Sequence, residues 1–316
     1  MAETITSPPN ARQKPQTRLF SNPVTMKELR SRMRGRRAFA VLTLYLVVLA
    51  AALIFVYLIY LSTSGVPSST MARSAGKGIF AAILGVQIIL VAFIGPAFTA
   101  AAISGERERQ TFDLLRTTLL SAESFVLGKL ISSLSYILLL VAVSIPLQSL
   151  AFLLGGLSGV ELVLSQVLVL VAAVTYALYG LWCSATMRST LTATVATFAG
   201  TLFITFGIPL LASIGLIFIG TINTTSSTIL TSPAPTLEIA LIYLALVLAA
   251  LNLPATLIVS EAFLLNQDTL LGFTHFIDTQ SMWVFSPWIL FIILHVAATA
   301  LFYVAAVRRV RRVSDV

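Results

Sequence analysis

Gly105-Glu106-Arg107-Glu108-Arg109-Gln110-Thr111-Phe112-Asp113-Leu114-Leu115-Arg116-Thr117-Thr118 is a charged island in an otherwise apolar chain. It lies between two long apolar runs, so it has to sit in water at a membrane face. The chain has 316 residues, 58% of them hydrophobic and 10% charged, with a mean hydropathy of +0.97. A soluble surface needs more charge than this, and the composition is that of an integral membrane protein. The formal net charge of +8 is therefore read by position along the chain, and no nucleic-acid partner is expected from it. The single cysteine, Cys183, excludes an internal disulfide framework and a thiolate metal cluster, and reads as a packing residue.

Outward from the island, seven apolar stretches stand at about 38–61, 79–103, 130–154, 161–183, 191–220, 236–264 and 287–307. The first follows a basic leader and is too long for a signal-peptide core, so it reads as a retained span. Lys and Arg are dense before the first stretch, from Arg12 to Arg37, and after the last, at Arg308, Arg309, Arg311 and Arg312. The positive-inside rule puts both termini in the cytoplasm, and the number of spans is then even. The weakest stretch is 236–264, with Asn252-Leu253-Pro254 at its centre. Proline and its restricted predecessor break a helix there, and each half is too short to cross. It is expected to be a re-entrant or interfacial hairpin on the outer side, which leaves six spans. Tyr57, Tyr60, Trp283 and Trp288 fall at outer span ends, and Trp182 and Tyr303 near inner ends, as aromatic belts require.

Residues 1–18 are polar and proline-rich, a tail with nothing to bury. Over 19–37, Asn22-Pro23 makes a helix start. Met26, Leu29 and Met33 then recur at helical spacing, with Lys27, Arg30 and Arg34 on another face. The pattern is an amphipathic helix at the membrane surface, or a positive-inside flank that asks for the same charges. Within the island, a helix puts Phe112, Leu115 and Leu119 on one face and Arg109, Asp113 and Arg116 on another. Its charges nearly cancel, so attraction to lipid headgroups explains it poorly. A neutral helix with an apolar stripe suits a protein groove better than a salt-bridged loop does.

The run Ile103-Ser104-Gly105-Glu106-Arg107-Glu108-Arg109-Gln110-Thr111-Phe112-Asp113-Leu114-Leu115, followed by Leu119-Leu120-Ser121 and Leu127-Gly128-Lys129-Leu130, resembles the loop between the second and third spans of type-2 ABC transporter permeases. Asn22-Pro23-Val24, Lys27-Glu28-Leu29-Arg30 and Met33-Arg34-Gly35 resemble that family's elbow helix. The resemblance runs from about residue 20 to the basic C-terminus and is strongest over 20–40 and 100–150. It implies six spans per subunit, a second permease subunit (a copy or a paralogue), and two separate ATP-binding subunits that carry ATP and Mg. The island is then the coupling helix that docks in the ATPase through Glu106, Glu108, Arg109, Phe112, Asp113 and Arg116. Export is implied by the resemblance alone. Residues 221–285 match the pattern least.

The chain lacks a G-x-x-x-x-G-K-[ST] phosphate loop; Ser74-Ala75-Gly76-Lys77-Gly78 has no first glycine at the required spacing. ATP chemistry is expected from a partner. The span interiors hold no Asp, Glu, Lys or Arg, with Glu161 at an edge and His295 as the one titratable exception. This disfavours an ion-coupled carrier. Thr190, Thr194, Thr197, Thr201 and Thr205 share one helical face. They read either as backbone-bonded packing residues or as a mildly polar wall of a path or subunit interface. Gln87, Gln148 and Gln166 are expected to bond between helices. Gly156-Leu157-Ser158-Gly159 and His295 resemble the serine–histidine dyad of rhomboid-type intramembrane proteases. Ser158, however, falls in a short turn where Gly and Ser are expected anyway, and no oxyanion donors accompany it. The leading reading is thus an all-α, polytopic permease subunit of the cell membrane. It has an elbow helix, a coupling helix and an outer hairpin, a transmembrane domain at 38–307 and a basic tail at 308–316, and no catalytic site of its own. An intramembrane protease and a non-transporting scaffold are the alternatives. The transported substrate is not readable.

Overall fold

A computed structural model describes residues 36–63, 69–110, 121–214, 235–267, 271–277 and 280–314. The elbow residues Lys27, Arg30 and Arg34, and Phe112, Asp113 and Arg116 of the island, lie outside the described residues.

The architecture is helical, and among the described residues six helices are long and apolar enough to cross a membrane. They are α1 (Arg36–Thr63), α2 (Ser69–Thr99), α4 (Ala122–Leu153), α5 (Gly159–Thr186), α6 (Thr190–Ile214) and α9 (Pro287–Ser314). A short α3 (Ser104–Glu108) follows α2. Two further apolar helices, α7 (Pro235–Ala250) and α8 (Leu253–Gln267), stand before an antiparallel ribbon of β1 (Gly272–Ile277) and β2 (Gln280–Phe285). The helix expected to begin at 130 begins at Ala122, so the connection read as 104–129 is shorter than composition implied. The ribbon was not expected.

The apolar segments are helical because a chain in hydrocarbon must satisfy its own backbone hydrogen bonds. They pack around α5, whose apolar window is 56% buried against 11% for α1. The main core joins Leu49 of α1, Ile83 of α2, Ile137 and Leu140 of α4, Leu168 of α5 and Phe291 of α9. Small residues let α5 meet its neighbours closely. A Cβ on Gly180 would lie 2.1 Å from Thr99 Oγ1, and one on Gly200 of α6 would lie 2.3 Å from the Tyr179 hydroxyl. That hydroxyl donates to the Ala196 carbonyl at 3.1 Å.

The stretch read as a broken hairpin is broken at Leu251-Asn252, between α7 and α8. Asn252 is fully buried, and its amide serves both sides of the break. Its Oδ1 accepts from the Ala255 amide at 2.9 Å, which caps α8. Its Nδ2 donates to the carbonyls of Ile204 and Thr205. Those carbonyls belong to a π turn, Phe203–Gly207, within α6. The Thr256 hydroxyl takes the carbonyl of Ala249 at 2.7 Å, another group the break would strand. The pair is tied to the ribbon by Tyr243, whose ring stacks on Phe285 and whose hydroxyl donates to the Trp283 carbonyl at 2.9 Å.

Asn252→Leu should lower stability by about 1–3 kcal/mol for each group it strands. Asn252→Asp keeps the cap acceptor but sets a carboxylate against two carbonyls, and should be no better. Thermal melts of the detergent-purified protein check both; wild-type melting of the two variants would show that the break does not depend on this side chain.

Candidate functional site

The described part of the island is bonded into the bundle at one end. After Thr99 the helix loosens, and the Ser184 hydroxyl of α5 accepts from the amides of Ile103 at 2.9 Å and Ser104 at 3.0 Å. Three consecutive charged residues then reach three different helices. Glu106 pairs with Lys129 of α4 at 2.5 Å. Arg107 donates from Nη2 to the Ala185 carbonyl at 2.8 Å and from Nη1 to that of Met187 at 3.5 Å, where α5 ends. A guanidinium there complements the carbonyl end of the helix. Glu108 accepts from the Thr190 amide at 2.7 Å and its hydroxyl at 2.8 Å, at the first turn of α6, where the dipole favours a carboxylate.

The described short helix ends at Glu108, and Gln110 takes a left-handed φ of 56°; the rest of the helix expected over 106–119 lies outside the described residues. Arg109 is exposed, whereas Glu106 and Glu108 turn their carboxylates to the chain itself. Glu123 and Arg311 form an exposed ion pair at the same end, at 2.6 Å; such pairs add little stability.

The threonine stripe faces inward. Thr197, Thr201 and Thr205 are buried. Thr194, Thr197 and Thr201 bond the carbonyls of Thr190, Ala193 and Thr197 four residues back, and Thr205 donates to the Tyr176 hydroxyl at 3.0 Å. These are the bonds of the packing reading.

The three glutamines converge. Gln148 donates to Gln87 Oε1 at 3.1 Å, Gln166 donates to Gln148 Oε1 at 3.0 Å, and Gln87 donates to the Ser144 hydroxyl at 2.5 Å. One buried network thus joins α2, α4 and α5. The Tyr45 hydroxyl of α1 lies beside Gln87 and Ser144, without completing a hydrogen bond of good geometry. Sequence reading found the three amides separately; their meeting depends on helix rotations that spacing does not contain.

Ser158 and His295 are not brought together. Ser158 caps α5 in a capping box with Glu161, its hydroxyl oxygen accepting from the Glu161 amide at 3.2 Å. His295 stacks on Phe291, with Nδ1 3.0 Å from the Phe291 carbonyl, and its own carbonyl accepts from Thr175. Thr175 lies 17 residues beyond Ser158 on α5, about 25 Å at the rise of an α-helix. Among the described residues, no three His, Cys, Asp or Glu side chains are placed to hold a metal ion.

No family model matches the chain, and no curated protein matches it either.

The Lys129 side chain is only 7% exposed and its Glu106 partner 24%. Breaking a pair of this kind from one side is costlier than replacing both members. Glu106→Leu should cost about 3 kcal/mol, and Glu106→Leu combined with Lys129→Leu distinctly less. A double-mutant cycle on thermal or denaturant unfolding measures the difference; strict additivity would show that the pair contributes no coupling.

Proposed function

We propose that the chain is the membrane subunit of an ATP-driven transporter, powered by a separate ATP-binding subunit that docks on the 104–129 connection. The observation that carries this reading is the triple attachment of Glu106, Arg107 and Glu108 to α4, α5 and α6. A force applied near residue 109 passes directly into three long helices. The resemblance of the 103–130 segment to type-2 ABC permeases supports the same reading. On the Lys and Arg bias, this end and both termini are cytoplasmic, in the cell membrane. The α7–α8 pair then enters from the outer side. Its turn at Asn252 touches Thr205, 15 residues along α6 from Thr190, about 22 Å from the cytoplasmic end.

The reading divides the island into two parts. Glu106 and Glu108 hold the lever to the bundle, and Arg109 with Phe112, Asp113 and Arg116 meets the ATPase. A second permease subunit completes the assembly, and the direction is export, as the resemblance implies.

An ATP-binding subunit that co-purifies with the wild-type chain is the partner to test. Arg109→Glu combined with Asp113→Arg should lower its co-purification at least about tenfold, the scale of losing a charge-assisted contact. Glu106→Gln should leave co-purification intact but reduce permease-stimulated ATP hydrolysis. Co-purification and stimulation that survive all three changes would overturn the docking assignment. Co-purification without any stimulation, in the wild-type complex, would favour the scaffold.

A further inference from the structure

A cavity of about 390 Å³ lies between α2, α5, α6 and α8, walled by Leu84, Leu168, Phe206 and Leu257. Its size is that of a site for a small organic ligand. Its walls are apolar, but Glu161, Ser165, Ser260 and Glu261 also line it. Ser165 is accounted for, since its hydroxyl donates to the Leu162 carbonyl at 2.9 Å. Ser260 is not. It is 4% exposed, and its Oγ has no hydrogen-bond partner among the described residues. A helical serine ordinarily bonds back to its own turn, and a buried hydroxyl left bare costs stability.

The charges specify the sign of a ligand. Glu161 and Glu261 both line the cavity, and the described lining holds no Lys or Arg. Burial and the neighbouring Glu161 push the Glu261 carboxyl up from its ordinary range, while Lys77 opposes this; a second cation would relieve the repulsion. One Glu161 oxygen already accepts from the Ser158 amide at 2.8 Å, which leaves Glu261 as the main directional contact.

We infer that this cavity binds an amphipathic primary amine, with the apolar body between α2, α5, α6 and α8 and the ammonium donating to the Glu261 carboxylate. A neutral alcohol fills the walls but leaves the net negative charge unanswered, and a fatty acid adds to it. The site lies within one chain and does not rest on the transporter reading.

The test is equilibrium binding of radiolabelled dodecylammonium to the purified full-length protein in phosphatidylcholine nanodiscs, with empty nanodiscs subtracted. Saturable binding is expected, with dodecanol and dodecanoate competing at least about tenfold less well. Glu261→Gln should weaken binding at least about tenfold, the scale of a hydrogen bond to a charged group. A Cβ placed on Gly85, which also lines the cavity, meets nothing within 4 Å. Gly85→Leu should therefore fill the space and abolish binding while the thermal melt stays at the wild-type value. Absence of saturable binding, equal competition by all three head groups, or unchanged binding in a folded Gly85→Leu protein would overturn the assignment.

Discussion

A polar group surrounded by hydrocarbon has to find its partner inside the protein, and the described structure is organised by that requirement. It makes the apolar segments helical. It also governs the departures from straight helices. The π turn in α6 and the break between α7 and α8 each free backbone groups, and Asn252 and Thr256 take up carbonyls at both places. The two irregularities therefore support each other. The same rule draws Gln87, Gln148 and Gln166 into one network, since each amide is buried and too polar to be left alone. Such a network gives α2, α4 and α5 a defined mutual rotation, which apolar packing between similar leucine surfaces does not supply by itself.

At the end of the bundle the rule relaxes and charge takes over. Glu106, Arg107 and Glu108 are consecutive, so on a helix they point in three directions about 100° apart. That is why they reach α4, the end of α5 and the start of α6, and do not pair with one another. Arg107 and Glu108 sit where the helix dipoles want their sign, and Glu106 neutralises an otherwise buried Lys129. The island's first residues thus act on the chain's own geometry. Under the proposed function, contact with a partner begins where the described helix ends, at exposed Arg109.

The spans were legible because twenty apolar residues have few alternatives in a membrane. The break at Asn252 was legible because proline cannot sit quietly inside a helix. The ribbon carried a signal that went unread. Phe273-Thr274-His275-Phe276-Ile277 and Gln280-Ser281-Met282-Trp283-Val284-Phe285 flank the two residues Asp278-Thr279, a hairpin pattern. It sat beside two helices that drew attention through hydropathy. The island's charges were read as a surface for a partner because spacing alone says which residues share a face and not what that face meets. The same limit applies to the threonines: their period was plain, but only packing shows that they turn toward the bundle.

The irregular backbone also explains why open space survives beside α8. Phe206 belongs to the π turn, and Leu257, Ser260 and Glu261 belong to the helix that starts at the break. A π turn shifts the residues after it around the helix axis, and a break lets the second helix leave at a new angle. Two straight, continuous helices could close against α2 and α5 by ridge-into-groove packing. In hydrocarbon, non-helical backbone is tolerated where it is buried in protein or lines a cavity, and both conditions are met around Asn252. A cavity formed in this way is held open by hydrogen bonds to the backbone, so its walls do not depend on any single apolar side chain to keep their distance.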